Sequence, residues 1–223
     1  ETAIDKLLLM ADYRLPVEVL EREIGAILRL GIEVQTGKRF GADVTLDDLR
    51  GQGYGAVFLG IGAHRGLKLN VEGEELGGVI DAVELLRNVN LGGRQRPGDR
   101  VVIIGGGNVA IDAARTAMRL GCQAVTVVYR RTREEMPAYA EEIAGALDEG
   151  IAIEYLTAPV RVVGDNGRVS GFECIKTELG PTDASGRRRP VPVAGSEFTI
   201  ACDAVVSAIG QEPGTTELLP LGL

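Results

Sequence analysis

The sequence predicts an α/β fold in which an antiparallel β-meander interrupts a parallel sheet. Apolar strands alternate with helices as far as residue 147, which is the pattern of parallel βαβ units. Short strands then follow one another, and Asp165-Asn166-Gly167 is typical of the turn between two hairpin strands. A last apolar strand over residues 203–207 is expected to return the chain to the parallel sheet.

The N-terminal elements are predicted from turn and capping signals. Pro16 suits the first turn of a helix because its φ is already helical, and Gly31 suits the end of that helix. Thr45-Leu-Asp-Asp48 has the form of a capping box. The predicted elements are a helix over 16–31, a strand over 32–34, a brief helix over 45–50 and a strand over 56–59.

The rest of the chain is predicted from apolar runs separated by glycine-containing turns. The expected helices cover residues 81–91, 108–120 and 138–147. The expected strands cover residues 100–104, 124–129, 151–155, 160–163, 168–178, 196–200 and 203–207.

A glycine turn directly follows the predicted strand 100–104. Its sequence is Gly105-Gly106-Gly107-Asn108-Val109-Ala110, and a helix begins near its end. A G-x-G-x-x-A string between a strand and a helix is a dinucleotide-binding fingerprint. Gly105 allows the tight turn, Gly107 lets the backbone approach a pyrophosphate, and Ala110 keeps the helix close to the strand. The helix N-terminus offers N–H groups and a positive dipole end to the phosphates, so the sequence predicts a Rossmann-like NAD(P)-binding domain.

The next strand ends in arginines rather than in an acidic residue. An NAD-binding unit usually places Asp or Glu about 20 residues after the fingerprint, where it binds the ribose 2′-hydroxyl. Here strand 124–129 runs into Arg130 and Arg131. Guanidinium groups suit a 2′-phosphate, so these two arginines predict NADPH rather than NADH. Arg133 is interpreted instead as a solvated residue or as a partner of the glutamates that follow it.

A short internal repeat indicates that this domain is inserted into another one. The string over 56–62 resembles the string over 204–210, at a spacing of 148 residues, although two apolar strands ending in glycine can also coincide by chance. Ala208, Ile209 and Gly210 are predicted to lie beside the cofactor. Three segments are predicted. Residues 1–76 are a partial flavin-domain segment, and residues 77–210 are the NADPH-binding domain. Residues 211–223 are the start of a flavin-domain return.

Composition excludes several other classes of function. A formal net charge of −8 argues against general binding of nucleic acid or of anionic membranes. The sequence contains no apolar run of membrane-spanning length and no basic leader, so a cytoplasmic protein is expected. Its three cysteines are isolated and His64 is its one histidine, so we predict buried thiols, no metal site and no catalytic side chain.

Taken together, these strings resemble the small subunit of NADPH-dependent glutamate synthase and related flavoproteins of the pyridine-nucleotide superfamily, among them part of dihydropyrimidine dehydrogenase. The matching strings extend over most of the chain: Tyr13-Arg-Leu-Pro16, Gly105 to Arg115, Tyr129-Arg-Arg131, Glu135-Met-Pro-Ala138, Gly186-Arg-Arg-Arg-Pro-Val-Pro192 and Ala208-Ile-Gly-Gln211. The resemblance implies that residues 107–110 face the NADPH pyrophosphate and that Arg130 and Arg131 face the 2′-phosphate. It also implies hydride transfer from NADPH to FAD, and an electron-acceptor protein or a large glutamate synthase-like subunit as partner.

The chain also departs from that family's pattern. No comparable strand, glycine turn and helix precedes residue 105, where the family binds FAD, and the cysteine-rich iron–sulfur region is missing. We therefore expect part of a longer flavoprotein that, by itself, neither retains FAD nor is active. A non-catalytic NADP(H)-sensing domain remains an alternative, and a methyltransferase is a weaker one because its ligand has no 2′-phosphate. Homo-oligomerisation is left open.

Overall fold

The computed structural model describes residues 13–182 and 186–214, and the chain divides into two compact units. The smaller unit comprises Glu1–Arg65 and Gln211–Leu223, and the larger unit is the continuous stretch Gly66–Gly210. The larger unit therefore includes residues 66–76, which the sequence analysis assigned to the first domain. It ends at Gly210.

Strands and helices alternate from residue 79 to residue 154, after two helices and a short strand. The helices are α1 (Val17–Leu28), α2 (Leu46–Gly51), α3 (Ala82–Asn90), α4 (Asn108–Arg119) and α5 (Ala140–Asp148), with a 3-10 turn over Arg133–Glu135. The strands are β1 (Arg65–Gly66), β2 (Val79–Asp81), β3 (Arg100–Ile104), β4 (Ala124–Val128), β5 (Ala152–Glu154), β6 (Thr157–Asp165), β7 (Arg168–Thr182), β8 (Arg188–Ile200), β9 (Ala204–Ser207) and β10 (Gln211–Glu212).

A five-stranded parallel sheet forms the centre of the larger unit. Its strand order is β2-β9-β3-β4-β5. Strand β9 pairs in parallel with β3 on one side and with β2 on the other, so the returning strand lies inside the sheet. Every residue of β9 is buried, which explains its uninterrupted run of small and apolar side chains. The predicted return of the chain to the parallel sheet is confirmed.

Two hydrophobic clusters pack against this sheet. The first includes the small residues of α4, and Ala110, Ala113, Ala114 and Ala117 are all fully buried. Their size lets the helix lie close to the strands. The second cluster joins the sheet to the antiparallel strands through Phe172 and Cys174. Burial of this kind is the main source of stability in such a domain, at about 25 cal/mol for each Å² of apolar surface removed from water.

The antiparallel meander consists of β6, β7 and β8. Asp165 pairs with Arg168, and the two residues between them, Asn166 and Gly167, have positive φ values of 50° and 77°. Two consecutive positive φ values define the primed turn that suits a two-residue hairpin. The predicted hairpin is confirmed, whereas β8 begins at Arg188, eight residues before the predicted strand.

Two predicted strands are wrong. Residues 32–34 and 56–59 lie in irregular structure, and the Phe58 side chain is 93% exposed. A strand needs a neighbour for its backbone N–H and C=O groups, and the described part of the chain pairs neither segment with one. Of the two copies of the repeated string, only the second one therefore contains a strand, at residues 204–207. The capping box at Thr45 and Asp48 is confirmed, and their hydrogen bonds lower the pKa of the Asp48 carboxyl.

All three cysteines are free and buried, as predicted. Burial raises the pKa of each thiol, and it raises those of Cys174 and Cys202 to about 12. The reactive thiolate is therefore scarce at neutral pH. Across the described ranges, no group of three or more histidine, cysteine or acidic side chains could hold a metal ion, and no helix is long and apolar enough to cross a membrane.

Candidate dinucleotide site

Three segments meet where the parallel strands end. The chain leaves β3 through the glycine turn into α4, while β4 and β9 flank β3 on its two sides. The amide of Gly105 donates to the carbonyl of Val128 over 3.1 Å. The amide of Ala208 donates to the carbonyl of Ile104 over 2.8 Å. The carboxyl ends of parallel strands are where open α/β sheets bind ligands. These hydrogen bonds place the fingerprint turn at that edge.

The three consecutive glycines have different surroundings. A methyl carbon added to Gly105, whose φ is +146°, would lie 2.3 Å from the carbonyl oxygen of Ala208. One added to Gly106 would lie 2.4 Å from the ring of Tyr129. One added to Gly107 would meet, apart from its chain neighbours, no atom of the described residues within 4 Å. Protein atoms therefore fill the space beside the first two glycines, whereas the space beside Gly107 is open.

Helix α4 begins next to that open space. Gly107 is its N-cap, makes no side-chain capping hydrogen bond, and is followed by a first turn without acidic residues. The first N–H groups of an α-helix have no acceptor within the helix, and they form its positive end. The backbone at Gly107, Asn108 and Val109 therefore presents amide donors that suit an anion.

The two residues that precede α5 form hydrogen bonds with this turn. The amide of Ala138 donates to the carbonyl of Gly106 over 3.1 Å, and the amide of Tyr139 donates to Oδ1 of Asn108 over 3.0 Å. The Tyr129 ring packs against Gly106, and its hydroxyl donates to the carbonyl of Glu135 over 2.7 Å. The sequence predicts no role for Tyr129 or Tyr139, and no local signal identifies them, because their contacts join separate elements.

The two predicted phosphate-binding arginines lie in different environments. Arg130 is exposed, and its carbonyl accepts a hydrogen bond of 2.9 Å from Oγ1 of Thr177. Arg131 is only 3% exposed, and its Nε donates to the carbonyl of Arg188 over 2.7 Å. The sequence alone predicts the same role for both. In the structure, Arg130 faces solvent and Arg131 packs against β8.

A capped turn follows these arginines. Glu135 accepts hydrogen bonds through Oε2 from the amide and the hydroxyl of Thr132, at 3.4 and 3.3 Å. Through Oε1 it accepts a hydrogen bond of 2.7 Å from Nε of Arg188. Arg133, the first residue of the 3-10 turn, is exposed, as its interpretation as a solvated residue requires.

The returning strand brings Ala208 to the same edge. Its carbonyl lies against Gly105, and the chain then continues through Ile209, which is partly exposed, to Gly210. The carbonyl of Gly210 accepts a hydrogen bond of 3.0 Å from the amide of Leu67. Ala208 therefore contacts the fingerprint turn, whereas Gly210 is hydrogen-bonded to a different segment, at Leu67.

Comparison with known proteins gives consistent similarities. The sequence profile of the pyridine nucleotide-disulphide oxidoreductases matches residues 10–223. The chain is 45% identical over 205 residues to the NADPH-Fe(3+) oxidoreductase subunit beta of Geobacter sulfurreducens. This alignment covers 90% of this chain and 30% of that protein. The chain is also 39% identical over 219 residues to the glutamate synthase [NADPH] small chain of Escherichia coli. That alignment covers 93% of this chain and 46% of the E. coli protein.

A solved structure supports the fold. FprA of Mycobacterium tuberculosis, determined in complex with NADPH, superposes with a TM-score of 0.65 over 78% of this chain and 54% of its own. The two sequences are 22% identical, so this likeness concerns the fold alone. The chain spans 30% and 46% of the lengths of the two relatives named above.

Proposed function

Because the chain belongs to the pyridine nucleotide-disulphide oxidoreductase family, we propose that it is the NADP(H)-binding electron-input module of a flavoprotein oxidoreductase. The predicted α/β fold and the predicted resemblance to glutamate synthase small subunits are both confirmed. The family and the named relatives support NADPH-dependent oxidoreductase chemistry. The particular role of this chain within such an enzyme is our proposal.

The open space beside Gly107 is the observation that carries the proposal. It lies at the N-terminus of α4, whereas Gly105 and Gly106 are in contact with other parts of the protein. A pyrophosphate needs close backbone approach and unpaired amide donors, and residues 107–109 provide both. In our proposal the NADPH pyrophosphate binds there, and the exposed guanidinium of Arg130 binds the 2′-phosphate.

The chain's own contribution is to bind and orient the nucleotide. NADPH, when bound, supplies the hydride, so no acid–base pair is required from the protein. Helix α4 and the turn hold the phosphates, while the small residues Ala208 and Gly210 let the backbone lie close to the rest of the nucleotide. Positioning of this kind is the protein's part in cofactor-dependent transfer.

The residues present do not fit FAD in the same way. The one similar string before the fingerprint, at 51–56, follows helix α2 rather than a strand, and irregular backbone rather than a helix comes after it. It therefore lacks the strand, turn and helix arrangement that cradles a dinucleotide. We propose that FAD accepts the hydride in a longer protein of which this chain is a part. An electron-acceptor protein or a large glutamate synthase-like subunit would then accept the electrons.

The same nucleotide site is also compatible with another candidate function. A domain that binds NADP(H) without passing on its electrons would sense the nucleotide rather than use it. It would share every feature of the Gly107 site. The two candidates differ in what happens to a flavin when NADPH arrives.

Anaerobic addition of NADPH to the full-length, FAD-loaded protein distinguishes them. We expect NADPH to bleach the flavin absorbance, and NADH to do so much more slowly. A Gly107→Ala variant of the same protein is the matched control, which dithionite should still bleach fully and which NADPH should bleach only at concentrations at least about tenfold higher. Tight NADPH binding with an unchanged flavin spectrum would contradict electron input and support the sensing domain.

A further inference from the structure

We propose that Arg188, the first residue of β8, is a positioning residue that makes this site prefer NADPH over NADH. It would act through Glu135 and Arg131, which belong to the segment that follows β4. The inference rests on the proposed function, because it concerns the same nucleotide site. From the sequence alone, the basic stretch over 187–189 is better explained as a solvated turn or a domain contact than as a phosphate site.

Arg188 contacts the arginine segment through its side chain. Its Nε donates to Oε1 of Glu135 over 2.7 Å. The Glu135 side chain is 14% exposed, and its other oxygen closes the capping box with Thr132. A single carboxylate therefore connects β8 to the turn that follows Arg130 and Arg131.

Arg188 contacts the same segment a second time through its backbone. Its carbonyl accepts the hydrogen bond from Nε of Arg131, whose side chain is buried. From the neighbouring strand, the hydroxyl of Thr177 donates to the carbonyl of Arg130. These bonds hold the backbone of Arg130 and the side chain of Arg131, and the guanidinium of Arg130 is exposed.

The charge on Glu135 explains why its pairing matters for a phosphate. Burial tends to raise the pKa of this carboxyl, but hydrogen bonds from Arg188 and Thr132 and the Arg188 charge outweigh burial and lower it. Glu135 is therefore ionised at neutral pH. Without Arg188, this carboxylate would lose that ion-pair partner while it stays close along the chain to the two arginines.

Such a charge would oppose binding of one nucleotide more than the other. The 2′-phosphate of NADPH is an anion that the carboxylate repels, whereas NADH carries a neutral hydroxyl at that position. The Arg188–Glu135 pair thus removes a repulsion specific to NADPH. It also holds the segment that carries Arg130 in one arrangement.

Calorimetric titration of the 223-residue chain with both nucleotides tests this proposal. We expect Arg188→Ala to raise the NADPH dissociation constant by about tenfold, the size of one charged contact, and the NADH constant by less than about twofold. Arg188→Lys should restore most of the NADPH affinity, because it restores the positive charge. Arg189→Ala is the matched control, since it removes the same charge from the next residue of β8, and it should change either constant by less than about twofold.

A second substitution separates repulsion from general disturbance. Glu135→Gln removes the charge that Arg188 neutralises, so adding it to Arg188→Ala should recover part of the lost NADPH affinity. Glu135→Gln alone should bind NADPH at least as tightly as the unchanged chain. If Arg188→Ala does not fold, Arg188→Lys and Glu135→Gln still provide the test, and a selective loss of NADPH affinity in either one would overturn the proposal.

Two other results would also overturn it. One is an equal loss of NADPH and NADH affinity in Arg188→Ala. The other is a loss of NADPH affinity in Arg188→Ala that is no larger than in Arg189→Ala. Failure of the proposed function gives a different result, because the unchanged chain would then show no preference for NADPH at all. A preference that is present in the unchanged chain and persists in Arg188→Ala contradicts only the role of Arg188.

Discussion

Replacing Gly105 with alanine is expected to lower the free energy of unfolding by about 3 kcal/mol, enough to unfold a marginal domain. The added methyl carbon would lie 2.3 Å from the carbonyl oxygen of Ala208, at a backbone φ of +146°. Strand β9 pairs with both β2 and β3, so it cannot move away without disturbing the parallel sheet. Urea unfolding followed by circular dichroism measures the loss.

Gly107→Ala is the matched control, and its expected result is the reverse. Gly107 has a negative φ of −89° and open space where the methyl would stand, so stability should change by less than about 1 kcal/mol. The methyl would nevertheless occupy the position proposed for the pyrophosphate, and NADPH affinity should fall at least about tenfold. A Gly105→Ala chain as stable as the original, or a Gly107→Ala chain with unchanged NADPH affinity, would contradict these assignments.

Neutralising the arginines should affect one nucleotide selectively. Arg130→Gln is expected to weaken NADPH binding by about 1–3 kcal/mol, the contribution of a lost charged contact, and NADH binding much less. Its side chain is exposed, so the melting temperature should stay unchanged. Calorimetric titration with both nucleotides measures the two affinities.

Arg131→Gln should behave differently, because this side chain is buried. Its loss would remove the buried hydrogen bond to the carbonyl of Arg188, so we expect lower stability as well as weaker NADPH binding. Arg133→Gln, which removes the same charge from an exposed neighbour, serves as the control and should change little. Equal losses of NADPH and NADH affinity in a folded Arg130→Gln chain would contradict the 2′-phosphate assignment.

The features that could be predicted from the sequence are those with local causes. The start of α4 at Asn108 follows from glycines next to an apolar strand, and the hairpin follows from Asn166 and Gly167, which adopt positive φ. The capping box at Thr45 likewise depends on residues within a single turn. In each case the residues that determine the structure are neighbours in the chain.

The features that could not be predicted depend on distant partners. Residues 56–59 have the composition of a strand, yet a strand forms only where another segment supplies hydrogen bonds. Arg130 and Arg131 are identical in type and adjacent in sequence, and the contact of Arg131 with Arg188, 57 residues away, distinguishes their environments. The Arg188–Glu135 ion pair joins residues 53 apart, and no periodicity or motif indicates such a contact.

Nucleotide preference of the unchanged chain tests the central claim most directly. In parallel calorimetric titrations with NADPH and NADH, we predict one NADPH bound per chain and a dissociation constant at least about tenfold lower than that for NADH, as expected for one charged contact to the 2′-phosphate. Equal dissociation constants for the two nucleotides, or no saturable binding of NADPH, would contradict the assignment of this turn and these arginines to an NADP(H) site.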